Sequence, residues 1–471
     1  MVDKRTKNKV RKTKRVKEPS SEAGPTLVHR NAAGIDVGSR SHFVAVPQDC
    51  DEEPVREFQS FTGDLQRLAD WLTKCGVKTV AMESTGVYWI PVYELLEERG
   101  FEVLLVCASH LRNVPGRKSD VLDCRWIQRL HSFGLLRASF RPTKDFVELR
   151  AYMRQRSRLV TDAARHVQHM QKSLMEMNLQ LHHVLSDITG ETGMRIVREI
   201  VAGERDGRQL ACLRDARCKQ PVEVIAAALQ GTYKNEHLFT LTQALAAYDF
   251  HVTQLADCDA RIVAKLAAIE KACVDDDTQT RAPLPPARPR TAHGHQPKFD
   301  ARSPLHRICH DVDLTQIPGV APATALHLVA EIGNDVSRWP TEKHFTSWLN
   351  LAPGTKITGG KSMSGKRGPA KNRAGLVLRQ AALSVGRTKT ALGGFFRRLA
   401  SHRDAAIAVV ATARKLGALV YRALKFGQAY VEQGLADYER QQEARKLRYL
   451  EKQAAARGFA LTPVLAVGAV T

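Results

Sequence analysis

The chain has 471 residues and a formal net charge of +22, with 71 lysines and arginines against 49 aspartates and glutamates, so a polyanionic partner is indicated: DNA, RNA or an anionic membrane surface. No apolar run approaches the roughly 18 residues that span a bilayer, and no apolar stretch follows the charged N-terminus, which predicts a soluble cytoplasmic protein without a secretory signal. Nine scattered cysteines without a C-x-x-C pair argue against a disulfide framework or a ribbon-type zinc site.

The N-terminal part of the chain predicts a basic arm followed by an α/β domain. Residues 1–30 read as a disordered arm, because basic side chains crowd them without apolar periodicity. Residues 31–145 alternate strand and helix signals, which indicates helices layered on a central sheet. The individual elements are predicted as a hairpin at 33–46, a helix at 65–72, a strand at 77–82, a helix at 91–99, a strand at 101–107 and a helix at 120–130.

Residues 146–273 predict a helical coiled-coil region. Apolar residues recur with three-four spacing over 149–185 and again over 238–269, and Arg156 and Asp259 are the polar interruptions. The two apolar seams fit an antiparallel hairpin within one chain or a pairing between two chains. Ordinary buried bundle helices are the alternative.

The C-terminal part predicts a second domain behind a flexible linker. Residues 274–312 are rich in proline and are expected to connect the domains. Residues 313–435 predict a mainly α domain that opens with a helix-hairpin-helix-like element, whose helix amides could face a phosphate. Thirteen basic residues and no acid lie between Lys343 and Arg403, which favours polyanion binding over a merely solvated basic face. The tail, residues 436–471, is predicted to be helical and then disordered.

Four acids in this basic chain are placed where a cation could be held. Asp36 and Glu83 each end an apolar strand, and Asp120 and Asp123 stand at i and i+3 on one helix face. Carboxylate oxygens prefer hard cations such as Mg²⁺ or Mn²⁺, and two such ions about 4 Å apart can serve phosphodiester chemistry. Taken singly, each acid has an ordinary alternative as a turn former or a helix cap.

The order of the acidic motifs matches a known arrangement. The motifs are Gly-Ile-Asp-Val at 34–37, Glu-Ser-Thr-Gly-Val-Tyr at 83–88, Lys-Ser-Asp-Val-Leu-Asp at 118–123, Ile-Pro-Gly-Val at 317–320, Leu351-Ala-Pro353 and Asn372-Arg373. In these motifs, over nearly its whole length, the chain resembles the DEDD transposases of bacterial insertion sequences, specifically the insertion-sequence one-hundred-ten family. The resemblance implies an RNase H/RuvC-like N-terminal domain. It also implies that Asp36, Glu83, Asp120 and Asp123 are the metal ligands, with Mg²⁺ or Mn²⁺ as cofactor.

The family also carries a serine nucleophile soon after a Leu-x-Pro, in a Ser-Gly context. The residue that aligns with this serine is Thr358, and Ser362 and Ser364 in the same Gly-rich loop are alternatives. The lack of any covalent step and an inactive copy of the transposase also stay open. Gly354 and Gly360-Lys361-Ser362 of this loop are similar to a Walker A motif, but the spacing between the glycines is one residue too long. A phosphate-binding NTPase loop is therefore not predicted. Basic residues around the loop are expected to contact nucleic acid: Lys356, Lys361, Lys366, Arg367, Lys371 and Arg373.

The resemblance implies a transposase or site-specific recombinase. It would cleave and exchange donor and target DNA through a hydroxyl-linked phosphoprotein intermediate, guided by a noncoding bridge RNA. The acidic site and the hydroxyl would come from different protomers of a dimer or tetramer, at the bacterial nucleoid and without a membrane partner. Two other functions stay open: a Holliday-junction-type nuclease that uses the acids and water alone, and a nonenzymatic nucleic-acid-binding protein.

Overall fold

The structure of the chain is a computed structural model that describes residues 27–107, 120–274, 282–288, 296–364 and 372–462. Most of the predicted basic arm and the end of the predicted tail lie outside the described residues, as do Lys366, Arg367 and Lys371. The chain divides into two units, residues 1–141 and residues 142–471.

The first unit contains a mixed five-stranded sheet with the strand order β3-β2-β1-β4-β5. The strands β1, β2 and β3 pair antiparallel, whereas β4 and β5 extend the sheet in parallel from β1. The strands are β1 (Ala32–Val37), β2 (Ser41–Ala45), β3 (Val55–Gln59), β4 (Thr79–Glu83) and β5 (Glu102–Val106), and the helices are α1 (Thr62–Lys74), α2 (Trp89–Glu98) and α3 (Asp120–Ser132).

The two faces of this sheet are covered differently. Alternate residues of β1 and β4, including Ile35 and Met82, pack into a buried core together with Leu68 and Leu72 of α1. Because side chains alternate along a strand, the residues between them face the other way. On that second face Ala81 packs against Ile127 of α3.

A glycine allows α3 to approach the sheet closely. An added Cβ at Gly34 would lie 2.5 Å from the carbonyl oxygen of Cys124 and even closer to the amide nitrogen of Gln128. The Gln128 side chain donates to the Ala32 carbonyl over 3.3 Å, and the Thr79 hydroxyl is 2.9 Å from Nε2 of the buried His131. Backbone contact at Gly34 and these polar contacts further along α3 therefore fix the helix on β1 and β4.

The predicted elements of the first unit are confirmed, with one omission. The hairpin, both later strands and the three helices occur within a few residues of their expected bounds. The edge strand β3 was not predicted, because Arg56, Glu57 and Gln59 give it little apolar signal although it pairs with β2 over its whole length. Hydrogen bonding to a neighbouring strand defines an edge strand even where its burial is small.

The second unit is mostly helical. Its helices are α4 (Lys144–Glu176), α5 (Leu181–Val184), α6 (Glu191–Ala202), α7 (Gly207–Cys212), α8 (Val222–Ala228), α9 (Asn235–Val274), α10 (Arg302–Ile308), α11 (Pro322–Ile332), α12 (Glu342–Trp348), α13 (Arg373–Gly386), α14 (Ala391–His402), α15 (Ala405–Phe426) and α16 (Gln428–Ala455). A two-stranded hairpin, β6 (Thr355–Thr358) and β7 (Lys361–Ser364), lies between α12 and α13. No described helix is long and apolar enough to cross a membrane.

The two long helices α4 and α9 pack antiparallel within one chain. Lys265 of α9 contacts Asp145 near the start of α4, and His237 of α9 contacts Glu176 at the end of α4. This arrangement is the intrachain alternative of the two predicted pairings. The predicted first seam is too long, because α4 ends at Glu176 and Asn178 adopts a positive φ of 59°. A residue in this conformation cannot continue a right-handed helix.

The proline-rich range differs in part from the expected flexible linker. It contains α10, and the segment 282–288 is attached to the residues that follow. Arg302 donates to the Pro285 carbonyl over 2.5 Å, and the Gln316 side chain donates to the Pro286 carbonyl over 3.0 Å. Prolines lack an amide donor but keep their carbonyl, so side-chain donors can hold such a segment.

Candidate active site

Asp36 and Glu83 stand side by side on neighbouring parallel strands. Ile35 of β1 pairs with Met82 of β4, and each acid follows its paired residue directly. Parallel strands lie about 4.8 Å apart, so the two carboxylates leave the sheet at matching positions at the carboxyl ends of their strands. Both acids alternate with residues of the core that faces α1, and they therefore belong to the face covered by α3.

The helix α3, which carries Asp123, packs on this face through Ile127. Burial, with a smaller effect of the nearby Asp36 charge, raises the pKa of Cys124 to about 12, and this effect of Asp36 indicates that β1 and α3 are close at this point. Asp123 precedes Cys124 and is half-buried, whereas Asp120 is the first described residue of the helix. The side chain of Asp120 lies outside the described residues.

Glu83 is oriented by a hydroxyl group that sequence reasoning did not assign. The Thr85 side chain donates to Oε1 of Glu83 over 2.7 Å. A hydroxyl donor of this kind restrains the orientation of the carboxylate that accepts from it. The signal was present in the Glu-Ser-Thr motif, as a threonine two residues after a strand-ending glutamate.

The donor set at this edge suits a hard divalent cation. Two neighbouring strands bring the carboxylates of Asp36 and Glu83 to a common sheet face, and carboxylate oxygens are the protein ligands that Mg²⁺ and Mn²⁺ prefer. Within the described part of the chain, no three histidine, cysteine, aspartate or glutamate side chains already form a group that could hold a metal ion.

The predicted nucleophile region forms the β6–β7 hairpin in the second unit. Thr358 pairs with Lys361, and Gly359 and Gly360 make the two-residue turn with φ values of 57° and 75°. Two successive positive φ angles define the hairpin turn in which glycine is the favoured residue. Thr358 is exposed beside this turn, and Ser362 occupies the neighbouring pair opposite Ile357.

The predicted nucleic-acid contacts are only partly described. The backbones of Lys356 and Lys361 belong to the hairpin strands, and Arg373 is exposed at the start of α13. Asn372 caps that helix by accepting from the Gly375 amide over 3.0 Å, and its side-chain nitrogen donates to the Trp348 carbonyl. The Asn-Arg motif therefore fixes the helix start and presents Arg373 to solvent.

Comparison with known proteins identifies the family of the chain. A family model of DEDD transposases of the IS110 type matches residues 33–179, and a model of the transposase IS116/IS110/IS902 family matches residues 312–395. No curated protein sequence gives a significant match. The two matches include the four acids and the β6–β7 hairpin, respectively.

The chain is thus a transposase of an insertion sequence. More narrowly, it belongs to the IS110 family, which confirms the resemblance found in the sequence motifs.

Proposed function

We propose that the protein cleaves and rejoins DNA at a divalent metal site formed by Asp36, Glu83, Asp120 and Asp123. The observation that carries this proposal is the matching position of Asp36 and Glu83 on adjacent parallel strands, under the helix that bears the other two acids. We further propose that the first unit is an RNase H/RuvC-like domain, for which the mixed five-stranded sheet with acids at its carboxyl ends is the support.

The acids would hold Mg²⁺ or Mn²⁺ against the scissile phosphate. When bound, such an ion supplies Lewis-acid stabilisation of the charge that develops on the phosphate oxygens. The chain's own residues prepare this site: Thr85 fixes the Glu83 carboxylate, and the close contact at Gly34 sets the distance from α3 to the sheet. A displacement of about 1 Å in such a site can cost roughly 100-fold in rate.

The hydroxyl of Thr358 is proposed as the nucleophile. Its oxygen would form a bond to phosphorus while the bond from phosphorus to the leaving DNA oxygen breaks, and that oxygen would take up a proton. A hydroxyl of the other DNA would then reverse the step, so the phosphodiester bond energy is conserved and no nucleotide is hydrolysed. Serine and threonine hydroxyls need activation for such a role, which the neighbouring protomer's carboxylate site is proposed to supply.

The hairpin register separates the two candidate hydroxyls. Successive pairs of a ladder alternate between the faces of the strands, and Thr358 and Ser362 belong to successive pairs. The two positions therefore lie on opposite faces of the hairpin, and only one of them can be turned toward a given phosphate. We favour Thr358, because it is exposed and aligns with the serine of the family.

A guide RNA and a homo-oligomer complete the proposal. The net charge of +22 supports an assembly with both DNA and RNA, because each bound phosphate requires neutralisation. Base pairing by a bridge RNA would place the sequence reading in the RNA and leave backbone contacts to the protein, as in other RNA-guided systems.

The metal site is tested by a recombination assay with donor DNA, target DNA, the RNA of the element and Mg²⁺. Glu83→Gln and Asp36→Asn should abolish recombination. Glu102→Gln is a matched control, because Glu102 is exposed at the start of β5. It lies at the amino ends of the parallel strands, whereas Asp36 and Glu83 lie at the carboxyl ends. Recombination by Asp36→Asn, or equal losses in Glu83→Gln and Glu102→Gln, would contradict the metal site.

The nucleophile is tested by trapping a covalent protein–DNA adduct on denaturing gels. Thr358→Ala should remove both adduct and recombination, whereas Thr358→Ser should retain them. If Thr358→Ala still recombines and Ser362→Ala does not, the assignment moves to Ser362. Cleavage without any adduct in the unaltered protein would instead indicate a structure-selective nuclease that uses water.

A further inference from the structure

A large basic cavity lies in the second unit, apart from the residues of the proposed chemistry. Its volume is about 1060 Å³, and its walls come from α4, α11, α13 and the proline-rich segments around Arg288 and Pro297. The Pro318–Gly319 turn forms part of the wall. Gly319 has a φ of 80°, and an added Cβ there would be 2.8 Å from the Ala381 carbonyl oxygen, so the turn packs directly on α13.

Four arginines line this cavity: Arg154, Arg156, Arg288 and Arg373. The one acid among the described lining residues is Glu331, which receives both hydrogen bonds of Arg154 at 2.7 and 2.8 Å. Arg156 is paired with Asp259. The exposed side chains of Arg288 and Arg373, on two different walls, form no ion pair with a described acid, so the lining carries a net positive charge.

We propose that this cavity binds the phosphodiester backbone of a nucleic-acid strand. Arg288 and Arg373 supply charge for phosphate oxygens, and Thr324, Gln380 and Ser384 add neutral hydrogen-bonding groups. The described lining contains no phenylalanine, tyrosine or tryptophan on which a base could stack. Contact with the backbone rather than with bases follows from this chemistry.

The proline-rich segment is the part of the wall that carries Arg288. Two hydrogen bonds hold it just before Arg288: Arg302 donates to the Pro285 carbonyl, and Gln316 donates to the Pro286 carbonyl. Arg302 is itself fixed by a 2.5 Å ion pair with the buried Asp313. The segment thus does more than connect two parts of the chain, because it sets one cationic wall of the cavity.

The test measures binding without catalysis, so its outcome does not depend on the proposed metal chemistry. The full chain is titrated in EDTA with fluorescein-labelled single strands of mixed sequence, one of DNA and one of the same sequence in RNA. The test variant carries Arg288→Gln and Arg373→Gln. The control variant carries Arg208→Gln and Arg261→Gln, which remove the same charge from exposed positions of the same unit that do not line the cavity.

Two lost phosphate contacts should lower the slope of log K against log salt by about 1.4, which corresponds to roughly 25-fold weaker binding at about 0.1 M salt. The control should keep most of the slope. If the test variant loses more affinity for one of the two strands, that strand, RNA or DNA, is the occupant of the cavity. Equal losses of affinity for both strands indicate recognition of the backbone alone. Equal slopes in the test and control variants would overturn the proposal, because bulk charge would then explain the binding.

A local readout complements the titration. A photoreactive benzoylphenylalanine at Gln380, which is exposed and lines the cavity, should crosslink to the labelled strand, and the same group at Arg208 should not. The Arg288→Gln, Arg373→Gln background should reduce the Gln380 crosslink. A crosslink that persists unchanged in that background, or equal crosslinking from both positions, would also overturn the proposal.

Discussion

A buried ion pair joins the two long helices, and its contribution to stability can be tested quantitatively. Arg156 of α4 and Asp259 of α9 meet with 2.6 Å between Nε and Oδ1 and 3.3 Å between Nη2 and Oδ2. The Arg156 side chain is 6% exposed and that of Asp259 is 20% exposed. These two residues are the polar interruptions of the two apolar seams, and each is the other's partner.

The expected effect follows from the cost of leaving one charge buried. Arginine remains protonated in proteins, so Asp259→Leu would remove the carboxylate partner of a buried guanidinium. Removing one partner of a buried pair typically costs about 3–5 kcal/mol, whereas replacing both with apolar residues is often neutral or stabilising by about 1–4 kcal/mol. We therefore expect Arg156→Met combined with Asp259→Leu to recover most of the stability that Asp259→Leu loses.

The assay is a double-mutant cycle on the free energy of unfolding in urea. The full chain is used, and changes are read from the transition that the single variants move, because a chain with two units need not unfold in one step. Arg156→Met should cost less than Asp259→Leu, since Asp259 is the more exposed partner. The reasoning is refuted if Asp259→Leu costs less than about 1 kcal/mol, or if the double variant is no more stable than Asp259→Leu.

Two further perturbations concern the first unit. Gly34→Ala should lower the free energy of unfolding of this unit by about 1–3 kcal/mol and reduce recombination, because a Cβ at this position collides with the backbone of α3. The control is Gly63→Ala, whose Cβ meets only the Arg67 side chain at 3.9 Å and which should change neither the stability nor the recombination. Equal effects of the two substitutions would contradict the tight contact at Gly34. Burial, with a smaller effect of His29, lowers the pKa of His131 from 6.5 to about 4. Between these two pH values the unfolded state therefore binds a proton at His131 and the folded state does not. The free energy of unfolding should therefore fall by roughly 3 kcal/mol as the pH drops from about 6.5 to about 4, and urea titrations across this range should show a flatter profile for His131→Gln. An unchanged profile would show that His131 does not cause the pH dependence.

Much of the first unit could be predicted because its signals are local. The apolar runs that end in Asp36 and Glu83 are buried strands, and such runs depend only on neighbouring residues. The edge strand β3 escaped prediction because its polar residues make pairing, rather than burial, its defining property. Thr85 escaped because its contact with Glu83 depends on the turn that follows β4.

By itself, the sequence determined most elements of the first unit, the acids at the strand ends and the family, since periodicity and short motifs carry this information. Only the tertiary structure decided that Asp36 and Glu83 share the α3 face, that Arg156 meets Asp259, and that the proline-rich segment walls a basic cavity. The charge of +22 identified the class of partner, but the fold placed Arg288 and Arg373 around one cavity. The contact between Arg156 and Asp259 joins residues 103 positions apart, and no local pattern encodes which distant partner a buried charge or a helix face will find.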